Sequence, residues 1–264
     1  MIAAERQGGH PRLTERDRRL LDLVSRCRLL SRDQIMRTAP FSSLTRANTR
    51  LALLVQEGLL SRKLLPSYPG KGGAQALYFS GPKGAGIDLI VLARRSRQVR
   101  RWDLRYVGHV LAANEVLTAL IAALTAAGDA SLLAFKTEPE LRELLIDRAL
   151  VPDGWIAWAQ GGRRFNVFLE VDLHNEGLTE WRTKVVNYLG YADAGLHAEL
   201  FGYRSFRVLV IAKSAARQAN LRRIAQAAGP LFLFGQLAHV SLETVLGPAW
   251  LPAVGEAPIR LAEA

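Results

Sequence analysis

The stretch VPDGWIAWAQGGRRFNVFLEVD, residues 151–172, predicts two β-strands joined by a tight turn. Both halves are largely apolar, and Gly161-Gly162 between them suits a two-residue turn whose backbone matches the twist of the adjoining strands. If Gln160 faces Arg163 across the turn, the pairing of the other residues in the hairpin follows. The sequence therefore predicts the register as well as the strands.

This register brings acidic side chains together. Asp153 lies opposite Glu170, and Asp172 shares the face of Glu170 because side chains alternate along a strand. Carboxylates opposite each other destabilise a sheet, so a divalent cation, a Lys or Arg, or protonation of one acid must compensate them. Lys184, in the helix that follows, could extend over the carboxylates. The simpler alternative is a solvated strand end.

The residues around the hairpin have the pattern of a mixed α/β layer. A long apolar helix opens the segment, and the order strand, short helix, two strands, helix, strand, helix, strand follows. The apolar run at residues 110–127 contains Asn114 and Glu115, which favours a buried helix over a membrane span. We expect residues 103–246 to form this domain and the Pro- and Ala-rich residues 247–264 to be a flexible tail.

The net charge divides the chain into two parts. Residues 1–107 hold 21 Lys and Arg against 8 Asp and Glu, a net charge of +13, whereas residues 108–264 hold 14 against 16, a net charge of −2. A basic module joined to a nearly neutral one is typical of a protein that binds polyanions. We expect this polyanion to be a nucleic acid rather than a membrane surface, since the sequence contains no basic amphipathic helix with a bulky aromatic face.

The cysteine content and the N-terminal pattern favour a cytoplasmic protein. One cysteine, Cys27, excludes an internal disulfide framework, and one Cys with five scattered His cannot form a zinc finger. The first residues lack the apolar core of a signal peptide.

The N-terminal residues predict three short helices and a two-stranded wing. Thr14 and Ser31 are each followed by an acid or Gln three residues on, which marks helix starts, and Ser42 or Ser43 caps a third helix that ends at Gly58. The runs LLSRKLLP and AQALYFS then predict two strands around the turn SYPGKGG. Three helices and a wing are typical of a winged helix-turn-helix domain.

In such a domain the third helix enters the major groove of DNA, where Arg and Asn can bind guanine and adenine edges, and the wing contacts phosphates. We expect residues 1–80 to form this domain, with protein contacts as the alternative use. Residues 81–102, which include RRSRQVRR, are a basic connector that either contacts DNA or is solvated. The predicted DNA-binding residues are Arg46, Asn48, Thr49 and Arg50 on the third helix and Arg62, Lys63 and Lys71 on the wing.

Several stretches, taken in their order, resemble known families. Pro152-Asp153, the later Glu170-x-Asp172 and the preceding helix with Glu115 are similar to the PD-(D/E)xK nuclease core. With the N-terminal module in front, the chain resembles the replication-relaxation family of plasmid and mobile-element proteins over most of residues 13–230. The stretches that carry this resemblance are LTERDRRLLDLVSRCRLLSRDQI, RLALLVQEGLLSR, HVLAANEVLTAL, VPDGWIAW, FLEVDLHNEGLTEWRTKVVNYLGY and RVLVIA.

The resemblance implies a metal-dependent phosphodiesterase centre or its remnant. In such a core, acids hold Mg²⁺ or Mn²⁺ and a lysine orients the attacking water. This chain has Asp172 where the nuclease pattern has a lysine, and Lys184 on the next helix is the substitute. The implied catalytic residues are Glu115, Asp153, Glu170 and Lys184, and the implied metal ligands are Asp153, Glu170 and Asp172.

The resemblance also implies a biological setting. We expect a cytoplasmic bacterial protein that binds double-stranded DNA in plasmid replication, mobilisation or local transcription control, with a nuclease-like second domain that either is active or serves as a scaffold. Replication or relaxase proteins and a second copy of the chain are the expected protein partners, and no membrane is expected. The alternatives are an active Mg²⁺- or Mn²⁺-dependent endonuclease, a repressor with a dimerisation domain, and a protein-interaction adaptor.

Overall fold

A computed structural model of the chain describes residues 12–65, 75–84, 104–145, 150–173 and 177–263. Contacts between residues divide the chain into two compact units, residues 1–100 and 101–264. Helices and β-strands occur in both units, so the chain is a mixed α/β protein, as predicted. The boundary between the units falls in the predicted connector, most of which lies outside the described residues.

The described part of the first unit contains three short helices and three strands. Its described elements are α1 (Glu15–Arg26), β1 (Leu30–Ser31), α2 (Arg32–Thr38), α3 (Leu44–Gln56), β2 (Leu60–Leu65) and β3 (Gln75–Ser80). The strands form an antiparallel sheet in the order β1-β3-β2. Apolar side chains of all three helices are buried in this unit, among them Leu20, Ile35 and Leu51.

Hydrogen bonds over three residues set the helix starts in this unit. The Thr14 hydroxyl accepts from the Asp17 N–H at 3.2 Å, and the Asp17 carboxylate accepts from the Thr14 N–H at 2.7 Å. Ser31 and Gln34 form the same reciprocal pair at the start of α2, and Ser43 caps α3. These bonds satisfy N–H groups that have no partner within the helix. The predicted helix starts are confirmed, with Ser43 rather than its neighbour as the third cap.

The second unit is built on a six-stranded mixed sheet. The strand order is β4-β5-β6-β7-β8-β9, in which β6, β7 and β8 are parallel and the other pairs are antiparallel. The elements, in chain order, are α4 (Leu104–Ala126), β4 (Ala130–Thr137), α5 (Glu138–Leu144), β5 (Gly154–Gln160), β6 (Arg163–Asp172), α6 (Leu178–Asp193), α7 (Leu196–Phe201), β7 (Arg207–Ala212), α8 (Ala215–Ala225), β8 (Phe232–Gln236) and β9 (Leu251–Pro252).

The predicted hairpin register is confirmed. Gln160 pairs with Arg163, and the pairing continues without a shift to Gly154 opposite Leu169. The two turn glycines have φ values of +55° and +76°, which a two-residue turn of this handedness requires. Continued by one residue, the same register places Asp153 opposite Glu170.

Helices cover both faces of this sheet. On one face, alternate strand residues such as Phe168 and Val210 form an apolar cluster with side chains of α6 and α8, including Trp181 and Leu221. The intervening strand residues are also buried, and α4 contacts β4, β5 and β6. By alternation, Glu170 points to the same face as Phe168, towards α6 and α8.

The long helix α4 is a core element, as the sequence predicts. By length and composition it could cross a membrane, but 67% of its most apolar stretch of 18 residues is buried inside the protein. Such burial is typical of the central helix of a soluble protein.

The prediction of a flexible tail over residues 247–264 is wrong. β9 pairs with β8, and Trp250 is 2% exposed, with its indole N–H donating to the Val245 carbonyl at 2.9 Å. Trp250 packs against Gly235 of β8, where an added Cβ would clash with the indole ring. A few large apolar side chains therefore fold this segment onto the sheet edge despite its Pro- and Ala-rich composition.

Candidate functional site

The helix α3 presents polar side chains on one side. Arg46, Asn48 and Thr49 are exposed, whereas Ala47 and Leu51 face the interior and are fully buried. The exposure of these three residues agrees with the predicted recognition face. Their binding of DNA stays a prediction.

The prediction that Arg50 shares this exposed face is wrong. Its Nε and Nη2 donate to the two carboxylate oxygens of Asp17 at 3.0 and 2.5 Å, and Nη2 also donates to the Arg12 carbonyl at 3.2 Å. Asp17 lies on α1 and has no exposed surface. Arg50 therefore joins α3 to α1, because a buried carboxylate needs a cation beside it.

Asp17 is held in its charged form by several donors. Besides the guanidinium of Arg50, the backbone N–H and the hydroxyl of Thr14 donate to its carboxylate. Burial raises the pKa of Asp17, but the hydrogen bonds from Arg50 and Thr14 outweigh burial and lower this pKa to about 2.

The predicted wing residues are divided between described and undescribed parts of the chain. Arg62 and Lys63 are exposed in β2, which pairs with β3 along its whole length. Lys71 lies outside the described residues.

In the second unit, Asp153 and Glu170 come together at the ends of β5 and β6. The Asp153 Oδ2 accepts from the Val171 N–H at 2.7 Å, and Oδ1 lies 2.8 Å from Nε2 of His109 on α4. This hydrogen bond raises the pKa of His109, although burial opposes the rise. The side chain of Asp153 thus adds a hydrogen bond between the two strands at the end of the β5–β6 pairing. Its other oxygen contacts His109, which is positively charged when it is protonated.

Glu170 is enclosed by two donors from α6. Its Oε2 accepts from Lys184 Nζ at 3.0 Å, and its Oε1 accepts from the Tyr188 hydroxyl at 2.6 Å. Lys184 and Tyr188 are four residues apart, so both lie on the side of α6 that faces the sheet. The prediction that Lys184 extends over the carboxylates is confirmed.

The burial of Glu170 changes its titration. Removal from water raises the pKa of Glu170 to about 7, and the negative charge of Asp153 adds to this rise, while Lys184 and Tyr188 oppose it. Burial, followed by the charge of Glu170, raises the pKa of Tyr188 well above its ordinary value. Glu170 can therefore exchange a proton near neutral pH.

Asp172 does not join this cluster as a third carboxylate. It accepts from Arg217 of α8, whose Nη2 donates to Oδ2 at 2.6 Å and whose Nε lies 3.1 Å from Oδ1. Both side chains are about nine-tenths buried. This two-pronged pairing fits the guanidinium geometry, so the charge of Asp172 is compensated within the protein.

Glu115 is the fourth implied catalytic residue. It lies on α4, six residues beyond His109 and therefore on a different side of the helix. The partners of Asp153 and Glu170 are His109, the Val171 N–H, Lys184 and Tyr188. The structure therefore brings together three of the four implied catalytic residues, Asp153, Glu170 and Lys184.

The donor groups at this site do not fit a divalent cation well. All four oxygens of Asp153 and Glu170 already have a hydrogen-bond partner in the protein, and one partner of Glu170 is the ammonium group of Lys184. Within the described ranges, no group of three or more His, Cys, Asp or Glu side chains could hold a metal ion. The catalytic and metal-binding roles of these residues stay predictions.

Sequence reasoning assigned no role to three residues of the charged network. His109 and Arg217 are separated by 44 and 45 residues from the carboxylates that they contact, so no local spacing could identify them. Tyr188 had a usable signal, because it follows Lys184 by one helical turn and faces the same way.

Comparison with known proteins identifies one family. A family model described as Replication-relaxation matches residues 21–202, which run from the second half of α1 to the end of α7 and include the whole of the Asp153–Glu170–Lys184 cluster. Neither the curated proteins nor the solved structures gave a match to the chain. Since the match covers more than half of its length, the chain belongs to the replication-relaxation family.

Proposed function

We propose that the protein binds double-stranded DNA through its first unit and acts in the replication, mobilisation or local transcription control of a plasmid or mobile element. Membership of the replication-relaxation family supports this setting. The observation that carries the proposal is the exposed polar side of α3, formed by Arg46, Asn48 and Thr49 on a helix whose other side is buried.

The arrangement of the first unit also supports DNA binding. Its element order α1-β1-α2-α3-β2-β3 and its strand order β1-β3-β2 are consistent with a winged helix, the fold that we propose for it and in which the third helix enters the major groove. Arg and Asn can form two hydrogen bonds with guanine or adenine edges. Arg62 and Lys63 on β2 would contact phosphates, and Lys71, which follows β2 in the chain, is proposed for the same role.

The charge distribution is consistent with this assignment. The net charge of +13 in residues 1–107 is confined to the part of the chain that holds α3 and the wing. Such a charge attracts the phosphate backbone and makes affinity depend strongly on salt. Replication or relaxase proteins and a second copy of the chain are the proposed protein partners in this setting.

We propose that the second unit is a nuclease-like core that serves as a scaffold rather than as an active nuclease. The partners of its carboxylates support this role, since Lys184, Arg217 and His109 compensate acids that would otherwise be available to a metal. The cluster would then hold α4, α6 and α8 on the sheet.

Fluorescence anisotropy with labelled duplex DNA tests the binding proposal. Arg46→Ala should weaken specific binding by about 1–3 kcal/mol, because it removes a base-edge contact. The matched control is Arg19→Ala, which removes the same charge from an exposed position on α1 and should change affinity less. Equal affinities for wild type and Arg46→Ala, or a binding constant that does not fall with added salt, would contradict the proposal.

A second candidate function is metal-dependent endonuclease activity. The observation that favours it is the contact of Lys184 with Glu170, whose Nζ and Oε2 lie 3.0 Å apart, since a nuclease core needs a lysine beside its carboxylates. Plasmid nicking that needs Mg²⁺ or Mn²⁺ and disappears in Asp153→Ala would establish this activity. Absence of nicking, together with absence of Mn²⁺ binding by calorimetry, would support the scaffold role.

A further inference from the structure

A cleft of about 300 Å³ opens in the second unit where β6 and β7 begin. Its walls are the start of β6, the segment at residues 202–207 that leads into β7, Trp158 and Leu261. Four of the lining residues are arginines, namely Arg163, Arg164, Arg204 and Arg207. The lining contains no acidic residue.

These four positive charges are not neutralised by the protein in the parts that the structure describes, where none of the four forms an ion pair with a carboxylate. Arginines that share one concave surface repel one another and create a strongly positive potential. The second unit is otherwise slightly acidic, so the cleft is a local concentration of charge and not a continuation of a basic surface.

Two buried donors in the cleft wall also lack a hydrogen-bond partner. They are Nε of Arg207 and Nε1 of Trp158. Trp158 has no exposed surface, and Arg207 makes one long bond, from Nη1 to the Phe206 carbonyl at 3.4 Å. Buried N–H groups are almost always paired in native proteins, so these two donors, which belong to residues that line the cleft, need an acceptor from solvent or from a ligand.

The walls are held in place by contacts that do not use these donors. Asn166 lies at the centre: its amide N–H donates to the Ser205 carbonyl at 2.9 Å, and its side-chain oxygen accepts from Trp155 and His197 at 3.2 and 2.7 Å. Phe165 stacks on Trp158 with ring centroids 5.4 Å apart. The cleft is therefore ordered before any ligand binds, which lowers the entropic cost of binding.

The cleft is separate from the carboxylate cluster. β6 begins at the cleft and ends at the carboxylates, and six residues separate Arg164 from Glu170. At the rise of a β-strand this corresponds to roughly 20 Å. A ligand in the cleft would not contact Glu170 or Lys184.

We propose that this cleft binds a phosphate group through its four arginines and the unpaired N–H groups of Arg207 and Trp158. The planar guanidinium group donates two parallel hydrogen bonds to a phosphate, which accepts them on several oxygens. The phosphate belongs either to a nucleic-acid backbone or to a free phosphorylated compound. This site goes beyond the proposed function, which places DNA on the first unit.

NMR of the full chain with ¹⁵N-labelled tryptophan tests this inference. Inorganic phosphate is titrated at constant ionic strength, and Trp158→Phe assigns the indole N–H signal. We expect a saturable shift of this signal, with an affinity at least about 10-fold lower in Arg164→Gln/Arg204→Gln because the anion loses charge-assisted bonds. Both substituted arginines are exposed, so the variant is expected to fold.

Two controls separate this site from general charge effects and from the first unit. Arg223→Gln removes an exposed arginine of α8 outside the cleft and should leave the phosphate affinity unchanged. Arg46→Ala should also leave it unchanged, even if it abolishes duplex binding. Absence of a saturable shift, or equal weakening in Arg223→Gln and in the double variant, would overturn the inference.

The source of the phosphate follows from two further titrations in the Arg46→Ala background. A short duplex that shifts the Trp158 signal at lower concentration than inorganic phosphate would identify a nucleic-acid backbone. A nucleoside triphosphate that shifts it while the duplex does not would identify a free phosphorylated compound. Either result supports the phosphate site.

Discussion

Two buried carboxylates, each beside one basic side chain, behave oppositely in the two units. In the first unit Asp17 pairs with Arg50, and the pKa of Asp17 falls to about 2. In the second unit Glu170 pairs with Lys184, and the pKa of Glu170 rises to about 7. The presence of a cation therefore does not decide the charge of a buried acid.

Deeper burial of Glu170, together with the number of donors and the neighbouring charge, explains this difference. Asp17 accepts two hydrogen bonds from the guanidinium and two more from Thr14. Glu170 accepts one from an ammonium and one from a phenol, and its neighbour Asp153 is another acid. The Asp17 pair is thus a permanent structural contact, whereas the Glu170 cluster can change its charge near neutral pH.

Removal of the cation from the first pair should have the largest effect. Arg50→Ala should lower the free energy of unfolding by about 3–5 kcal/mol, because it leaves the Asp17 carboxylate buried without a partner. Urea unfolding at pH 7 measures this loss. The control is Arg46→Ala on the same helix, which should change stability by less than about 0.5 kcal/mol because the side chain is exposed. Similar losses in both variants would contradict a structural role for Arg50.

The pair of Glu170 and Lys184 should make the free energy of unfolding depend on pH, and this effect should be of intermediate size. The pKa of Glu170 is about 7 in the folded protein against 4.5 without the fold, so the folded protein keeps a proton that the unfolded chain releases. The free energy of unfolding should therefore fall as pH rises from about 4.5 to about 7, by roughly 1–3 kcal/mol. Asp17 acts in the opposite sense, since its stabilising effect is lost as pH falls from 3.8 towards 2.

Glu170→Gln should flatten the decline between pH 4.5 and pH 7, as followed by urea unfolding at several pH values. The control is Glu143→Gln, which changes an exposed acid on α5 and should show the same decline as the wild type. His109 adds a loss in the same direction, because its raised pKa stabilises the fold at low pH and this stabilisation disappears as pH rises through that pKa. An unchanged decline in Glu170→Gln would assign the whole effect to other groups.

The smallest effect is expected from the phenol that donates to Glu170. Tyr188→Phe should lower the free energy of unfolding by about 1–2 kcal/mol at pH 8, where Glu170 is ionised, and by less at pH 5. Tyr191→Phe, another buried tyrosine of α6, is the control and should show no such pH dependence. A Tyr188→Phe loss of equal size at both pH values would mean that the hydroxyl does not sense the charge of Glu170.

Local features of this fold were predictable because each depends on residues close in the chain. The caps at Thr14 and Ser31 need a hydroxyl and an acceptor three residues apart. The Gly161-Gly162 turn sets the hairpin register and hence the approach of Asp153 to Glu170. Lys184 was predictable in part, since one helix follows the strand and points one side at the sheet.

The errors have a common origin in long-range contacts. The spacing of α3 does not distinguish Arg46 from Arg50, and the difference arises because Asp17 lies within reach of only one of them. Likewise, composition predicts a flexible C-terminus, but the indole ring of Trp250 packs against Gly235 of β8. In both cases the deciding partner is distant in the chain.

The sequence by itself determined the mixed α/β class, the helix starts, the hairpin register and the concentration of positive charge in the first part of the chain. Only the tertiary structure decided which cation meets which acid: Arg50 with Asp17, Arg217 with Asp172 and His109 with Asp153. The tertiary structure also decided that four arginines line one cleft together with Trp158, and that the N–H groups of Arg207 and Trp158 there have no partner in the protein. The physical reason is that caps and turns depend on bonds across a few residues, whereas a guanidinium can serve any carboxylate that packing brings near it.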